Sequence, residues 1–336
     1  MIEKLRVGLF SDEDVLRKVT LMMLDNVLNV PNSLVIELLK EAVNYSHKRP
    51  EILISLSSRS IPCEGLMPLV EILQHESSED VREIALNLLR NVEPELLVKN
   101  EKLVAPFLTD GEQSFYRLLA NGHKKDVWSE FEQTLVGLMQ QEVGYERAER
   151  LAKVLATKGW IDDFVIDSVM NDDLNEGSIS YEGLIMIFLI GILKKNKYLP
   201  ILANLLYTED DLILGFVEEA LKRFQSEEMV EVVTPYLLDR DTSLFAAGIV
   251  GSVKSSYARE QLQMAYHKVD DGDEKAILID ALCCQLDVEA LPEIQDYLQR
   301  GFVSGLIDTT EATYGYFRLL GLNHAHLQDW KASLQS

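Results

Sequence analysis

"SSEDVREIALNLLRNV", residues 77–92, sets Val81, Ile84, Ala85, Leu88 and Leu89 at steps of three and four behind a Ser and a pair of acids. That spacing puts all five on one face of an α-helix. Ser78 is of the type that caps a helix by accepting a backbone N–H. Asp80 falls in the first turn, where the positive end of the helix dipole favours negative charge. "LMPLVEILQH", residues 66–75, precedes it, with Pro68 near the start where a missing N–H costs little. Together they predict two short helices joined by a turn.

The same unit recurs along the chain. "SDEDVLRKVTLMML" places Asp14 two steps of about 33 residues before Asp80. "TEDDLILGFVEEALKRF", "DRDTSLFAAGIVGSV", "DGDEKAILIDALCCQL" and "LIDTTEATYGYFRLL" each set an acid ahead of a helix, at Asp210, Asp241, Asp273 and Asp308. Prolines mark three of the preceding helices, at Pro200, Pro235 and Pro292. Pro235 lies inside its apolar run, where it bends a helix rather than starting one.

Proline-marked helices followed by acid-led ones resemble HEAT repeats, and the short Asp-rich turns look like the HEAT-like repeats related to phycobilisome lyases. The resemblance is carried by residues 66–97 and 198–320, and more loosely by 12–60. Its closest stretch is Asp80, Val81, Arg82 and Ala85. It implies an all-α, right-handed α-solenoid of about ten HEAT-like helix pairs, each burying its apolar face only against its neighbours. No Gly, Ser or Pro-rich linker interrupts the chain, so residues 1–336 are expected to form a single continuous solenoid. Within it, 98–180 would be degenerate central repeats and 321–336 a C-terminal cap. The aromatic group Tyr314, Tyr316, Phe317 and Trp330 would cover the last repeat's open face.

Acids outnumber bases 55 to 32, a net charge of −23. The excess is spread over the whole length. Such a field repels phosphate backbones, whose binding depends on Lys and Arg releasing counterions, so nucleic acid and anionic membrane are poor partners. A DNA-repair HEAT-like protein, which needs a basic groove, is disfavoured for the same reason. The longest apolar run, Leu184 to Leu193, is half of the roughly 20 residues a bilayer requires and predicts a deeply buried helix. The N-terminal MIEKLRVGLFSDEDV lacks the long apolar stretch of an export signal. Cys63, Cys283 and Cys284 form neither a disulfide framework nor a zinc pattern. These features together predict a cytoplasmic protein.

Candidate chemical sites are weak. "DDLNEGSISYEGL", residues 172–184, has the outline of a calcium loop. With Gly177 as its central glycine, however, Leu174 falls on an oxygen-ligand place and Gly183 on that of the bidentate carboxylate. It is read instead as a helix junction, with Ser178 or Ser180 capping the helix that follows. The preceding helix is read with Trp160, Phe164, Val165 and Val169 on one face. His324 and His326 diverge on a helix and lack an adjoining acid or thiol cluster, so they read as a polar end-cap rather than a metal site. Cys63 has no activating His near it in sequence. No phosphate-cradling glycine motif is present. No catalytic residue, metal ligand or cofactor is assigned.

In the HEAT resemblance the second helix of each pair lines the concave side. Glu83, Asn87, Glu218, Lys222 and Asp280 are then the partner-binding residues of a mostly acidic inner surface. The expected function is a non-enzymatic protein–protein interaction scaffold holding a protein or peptide of basic character. The alternative that the resemblance implies is a lyase or cofactor chaperone of the HEAT-like lyase type. In "DTSLFAAGIVGSV" the small residues Gly248, Gly251 and Ser252 have two readings: close helix packing, or a flat apolar seat for a partner.

Overall fold

A computed structural model describes residues 1–140 and 144–335. Residues 141–143, within the expected degenerate stretch 98–180, and Ser336, in the expected cap, lie outside the described residues. The described chain is all-α, with one isolated bridge between Ile61 and Val92 outside the helices. Its helices gather into two compact units. The first combines Met1–Val30 with Lys195–Ser336; the second is Pro31–Lys194.

In the second unit, Asn32–Asn44 packs on Arg49–Ser55 and on Leu66–His75, and both of these pack on Glu79–Arg90. Asn32–Asn44 thus meets both its successor and the next but one, while Arg49–Ser55 meets the helix two places on and Leu66–His75 its successor. Ser78 Oγ accepts the Val81 N–H at 3.5 Å, and Val81, Ala85, Leu88 and Leu89 are buried. The helix Asp110–Asn121 begins with a capping box. Thr109 Oγ1 accepts the Glu112 N–H at 3.2 Å while Glu112 Oε2 accepts the Thr109 N–H at 2.8 Å.

The helix Asp163–Glu176 ends at Gly177, whose φ of 71° is the left-handed conformation common after a helix. Its buried face is Ile166, Met170 and Asp173, whereas Phe164 is 78% exposed. The expected face through Trp160, Phe164, Val165 and Val169 is therefore off by a rotation, since Ile166 and Met170 rather than Phe164 supply the apolar residues that are buried. The next helix, Tyr181–Leu193, has Ser180 as its cap, accepting the Gly183 N–H at 3.0 Å. Leu184, Ile185, Met186, Ile187, Leu189 and Ile190 are all buried. At about 1.5–3 kcal/mol for each fully buried large apolar side chain, as an upper estimate, this one helix is a main source of the unit's stability. Among the described residues no helix is long and apolar enough to cross a membrane.

The first unit repeats the packing rule. Ser243–Ser252 packs on Asp211–Phe224, Ser256–Lys268 and Gly272–Cys284, and the last of these packs on Leu291–Arg300 and Thr310–Leu319. Pro200 and Pro292 sit in the first turns of their helices. At Pro235 the α-helix Glu227–Val233 gives way to a 3₁₀ turn, Thr234–Leu238, which avoids the clash a ring makes with the carbonyl four residues back. Asp210 caps its helix, accepting the Leu212 N–H at 2.9 Å. The corresponding cap of Gly272–Cys284 is Asp271, two residues ahead of the expected Asp273. Asp273 instead accepts from Ser304 Oγ at 2.7 Å and the Gly305 N–H at 2.8 Å, tying down the loop after Leu291–Arg300.

The helices Ile2–Leu9 and Asp14–Asp25 pack on each other and on Thr310–Leu319. Tyr314, Tyr316 and Phe317 are buried there. Two glycines allow the approach: a Cβ on Gly315 would lie 2.6 Å from Val19 Cγ1, and one on Gly8 would lie 2.0 Å from Thr20 Oγ1. The helix Leu327–Ser333 also packs on Thr310–Leu319, with the His324 ring stacked 4.8 Å from that of Trp330.

Candidate functional site

The Asp211–Phe224, Ser243–Ser252 and Gly272–Cys284 helices of the first unit border a recess of about 290 Å³. Asn26, at the end of the Asp14–Asp25 helix, and Ile307 complete its wall. Leu244, which also lines it, is 48% exposed and belongs to the rim. Small residues make room for the recess. A Cβ on Gly251 would lie 3.1 Å from Ala281 Cβ, so Gly251 serves close helix contact, whereas a Cβ on Gly248 would meet only Glu218 Oε1, at 3.4 Å. In the stretch 241–253 Gly251 thus serves the close packing and Gly248 faces open space.

Glu218 and Asp280 both line this recess. Glu218 Oε1 accepts from Lys222 Nζ at 2.6 Å, a pair four residues apart on one helix face. Asp280 is half-buried, and among the described residues neither hydrogen bond nor ion pair reaches its carboxyl. Burial, with the nearby Glu311 charge, pushes it up to about 6 against the opposing pull of Lys254. Glu83 and Asn87 belong to the second unit, where both accept from Arg90 Nη1, at 3.1 and 2.7 Å. The five residues expected on one inner surface therefore fall into two sets, one in each unit.

Sequence reasoning missed three residues at or beside the recess. The Lys254 ammonium donates to Gly251 O at 2.6 Å and Cys284 O at 2.9 Å, capping the C-terminal ends of two helices. Its burial brings it down to about 8. Lys254 ends the twelve-residue uncharged run after Asp241, a signal the sequence did carry. Cys284 lines the recess, and burial, with Asp280 beside it, pushes its thiol up to about 12, which leaves it un-ionised and a poor nucleophile at neutral pH. Asn26 Nδ2 lies 3.7 Å from Cys284 Sγ across 258 residues of sequence, a separation no local pattern betrays.

Elsewhere the candidate groups are engaged in structure. Asp173 Oδ2 accepts from the Ser180 N–H at 3.0 Å and Ser180 Oγ at 3.1 Å, so the loop 172–184 uses its buried acid to brace two helices. A Cβ on Gly183 would lie 1.8 Å from that oxygen. His326 Nδ1 lies 3.2 Å from Asp329 Oδ2. Cys63 is exposed. Among the described residues no group of three or more His, Cys, Asp or Glu is placed to hold a metal ion.

No protein-family model matches the chain, and no curated protein matches it.

Proposed function

We propose that this protein is a non-enzymatic interaction scaffold of HEAT-like helix pairs, which holds a basic protein or peptide against acidic residues of its second helices. The observation that carries the proposal is the Asp280 carboxyl, which among the described residues has no hydrogen-bond or ion-pair partner, on the wall of a recess that Glu218 also lines. A half-buried acid with no donor is costly to keep unless something it binds repays it. The packing of helices on the next but one, as of Arg49–Ser55 on Glu79–Arg90 and of Ser243–Ser252 on Gly272–Cys284, suits stacked helix pairs, whose extended faces serve as binding surfaces. The net charge of −23 favours fast association with cationic partners. Glu83 and Asn87, which share Arg90, would add a second polar contact in the other unit.

The test is affinity capture at low and high salt with the full chain as bait, beside a Glu218→Gln/Asp280→Asn bait. A basic protein held by the wild type at low salt, and released by high salt or by the substitutions, supports the proposal. Equal recovery by both baits, or an empty result at both salts, overturns it.

A further inference from the structure

We propose that the recess beside Asp280 is a binding site for an alkylammonium group, a primary amine on a short apolar stem whose head is taken by the Asp280 carboxylate. This rests on the interaction reading above and names the chemistry its partner would present.

The inference follows from an inventory of donors and acceptors. The donors around the recess are each turned onto a partner within the protein: Lys222 Nζ on Glu218 at 2.6 Å, Lys254 Nζ on two carbonyls at 2.6 and 2.9 Å, and the Asn26 amide on Cys284 Sγ at 3.7 Å. The acceptors are in surplus, since among the described residues Asp280 has no donor and Glu218 lines the same recess. A ligand that fits therefore brings donors, and a positive charge is favoured at the Asp280 carboxylate, with the Glu311 charge near it. An anion would meet the Asp280 charge. An uncharged apolar ligand would bury Asp280 further and still leave it unpaired, which carries the full desolvation cost.

The rest of the lining fits a stem. Phe245, Ala247, Ile277 and Ala281 supply apolar surface, and Gly248 leaves the space open. At about 290 Å³ the recess stands at the lower end of ligand pockets, which run from about 300 to 1,000 Å³. That room suits one small amine or a single lysine side chain. Asp280 is mostly ionised at neutral pH and so carries the charge the head requires.

The experiment follows the backbone amide signals of Gly248 and Gly251 by NMR while n-butylammonium chloride is added to the full chain. n-Butanol is the uncharged control, and Nα-acetyl-lysine N-methylamide presents the same head on a peptide unit. Saturable shifts with n-butylammonium, binding at least ~10-fold weaker for n-butanol, and a loss of at least ~10-fold in Asp280→Asn are expected, as for removal of a charge-assisted hydrogen bond. Gly248→Ala, which projects a methyl into the space with only Glu218 Oε1 near it, weakens binding as well and serves if Asp280→Asn does not fold. Absence of saturable shifts, equal binding of n-butanol, or unchanged affinity in a folded variant overturns the proposal. Tighter binding of the lysine derivative assigns the head to a partner's side chain, and tighter binding of n-butylammonium assigns it to a free amine. If n-butylammonium fails while salt-sensitive capture succeeds, the recess proposal falls and the scaffold stands; the reverse pair of results removes the scaffold alone.

Discussion

Glu13 Oε2 accepts a hydrogen bond from Arg318 Nη2 at 2.9 Å, although 305 residues separate them in sequence. The other oxygen accepts from Tyr314 Oη at 2.6 Å and from Lys331 Nζ at 3.0 Å. One carboxylate thus fastens the N-terminal helices to both Thr310–Leu319 and Leu327–Ser333.

Burial alone would raise the Glu13 carboxyl, but these three hydrogen bonds and the Arg318 charge outweigh it and hold it at about 2, below its ordinary 4.5. A depressed acid contributes stability above its unfolded value and loses it as the pH falls through the folded one. Glu13→Gln is therefore expected to cost about 1–3 kcal/mol at pH 7, by urea denaturation. The difference from wild type should shrink between pH 4.5 and about pH 2.

Asp280 has the opposite sign. Its carboxyl is raised from 3.8 to about 6, so the folded chain keeps a proton that the unfolded chain has lost, and stability falls as the pH rises through that window. Asp280→Asn should stabilise the protein at pH 7 by about 1–3 kcal/mol, trimmed by the lost attraction to Lys254. The gain should vanish below about pH 3.8. Gain of stability with loss of binding is the pattern of a residue kept for function.

Glycines sort by what surrounds them. Gly315→Ala should destabilise by about 1–3 kcal/mol, because its methyl meets Val19 and Met23 within 3 Å. Gly215→Ala, inside the helix Asp211–Phe224 with nothing within 4 Å, should stabilise by about 0.5–1 kcal/mol. Thermal melts of the two variants check both signs.

For the loop 172–184, Asp173→Ala should lower the melting temperature, since it strips Ser180 of a buried acceptor at a cost of about 1–3 kcal/mol. Added calcium should leave the wild-type melting temperature unchanged. A rise that disappears in Asp172→Ala would overturn the reading of this loop as a brace.

Helical character was legible wherever the apolar rows were long, as in 77–92, and caps were legible where Ser78, Ser180 and Asp210 stand just ahead of those rows. Errors came from local rivals. Asp271 and Asp273 are both able caps, and only Ser304 and Gly305, some thirty residues on, divide their tasks. Phe164 is apolar yet exposed, because Ile166 and Met170, which fall on another face of the helix, are the apolar residues that are buried. Glu218 and Asp280 were picked as polar positions on second helices, but the recess between them depends on Asn26, Gly248 and Cys284 arriving from three separate stretches. Long-range placement of that kind leaves no periodic trace in a sequence.

The pairing of residues 1–30 with 310–333 also sets a timetable for synthesis. The helices Ile2–Leu9 and Asp14–Asp25 leave the ribosome long before Thr310–Leu319 exists to receive them. At about 5–20 residues per second the wait is on the order of half a minute. Through that interval Val19 and Met23, which meet Gly315 in the finished protein, lack that partner. The stretch 31–194 is complete in the meantime and can fold as its own unit, so the first unit is the later of the two to form and the one more exposed to chaperones and to aggregation on the way.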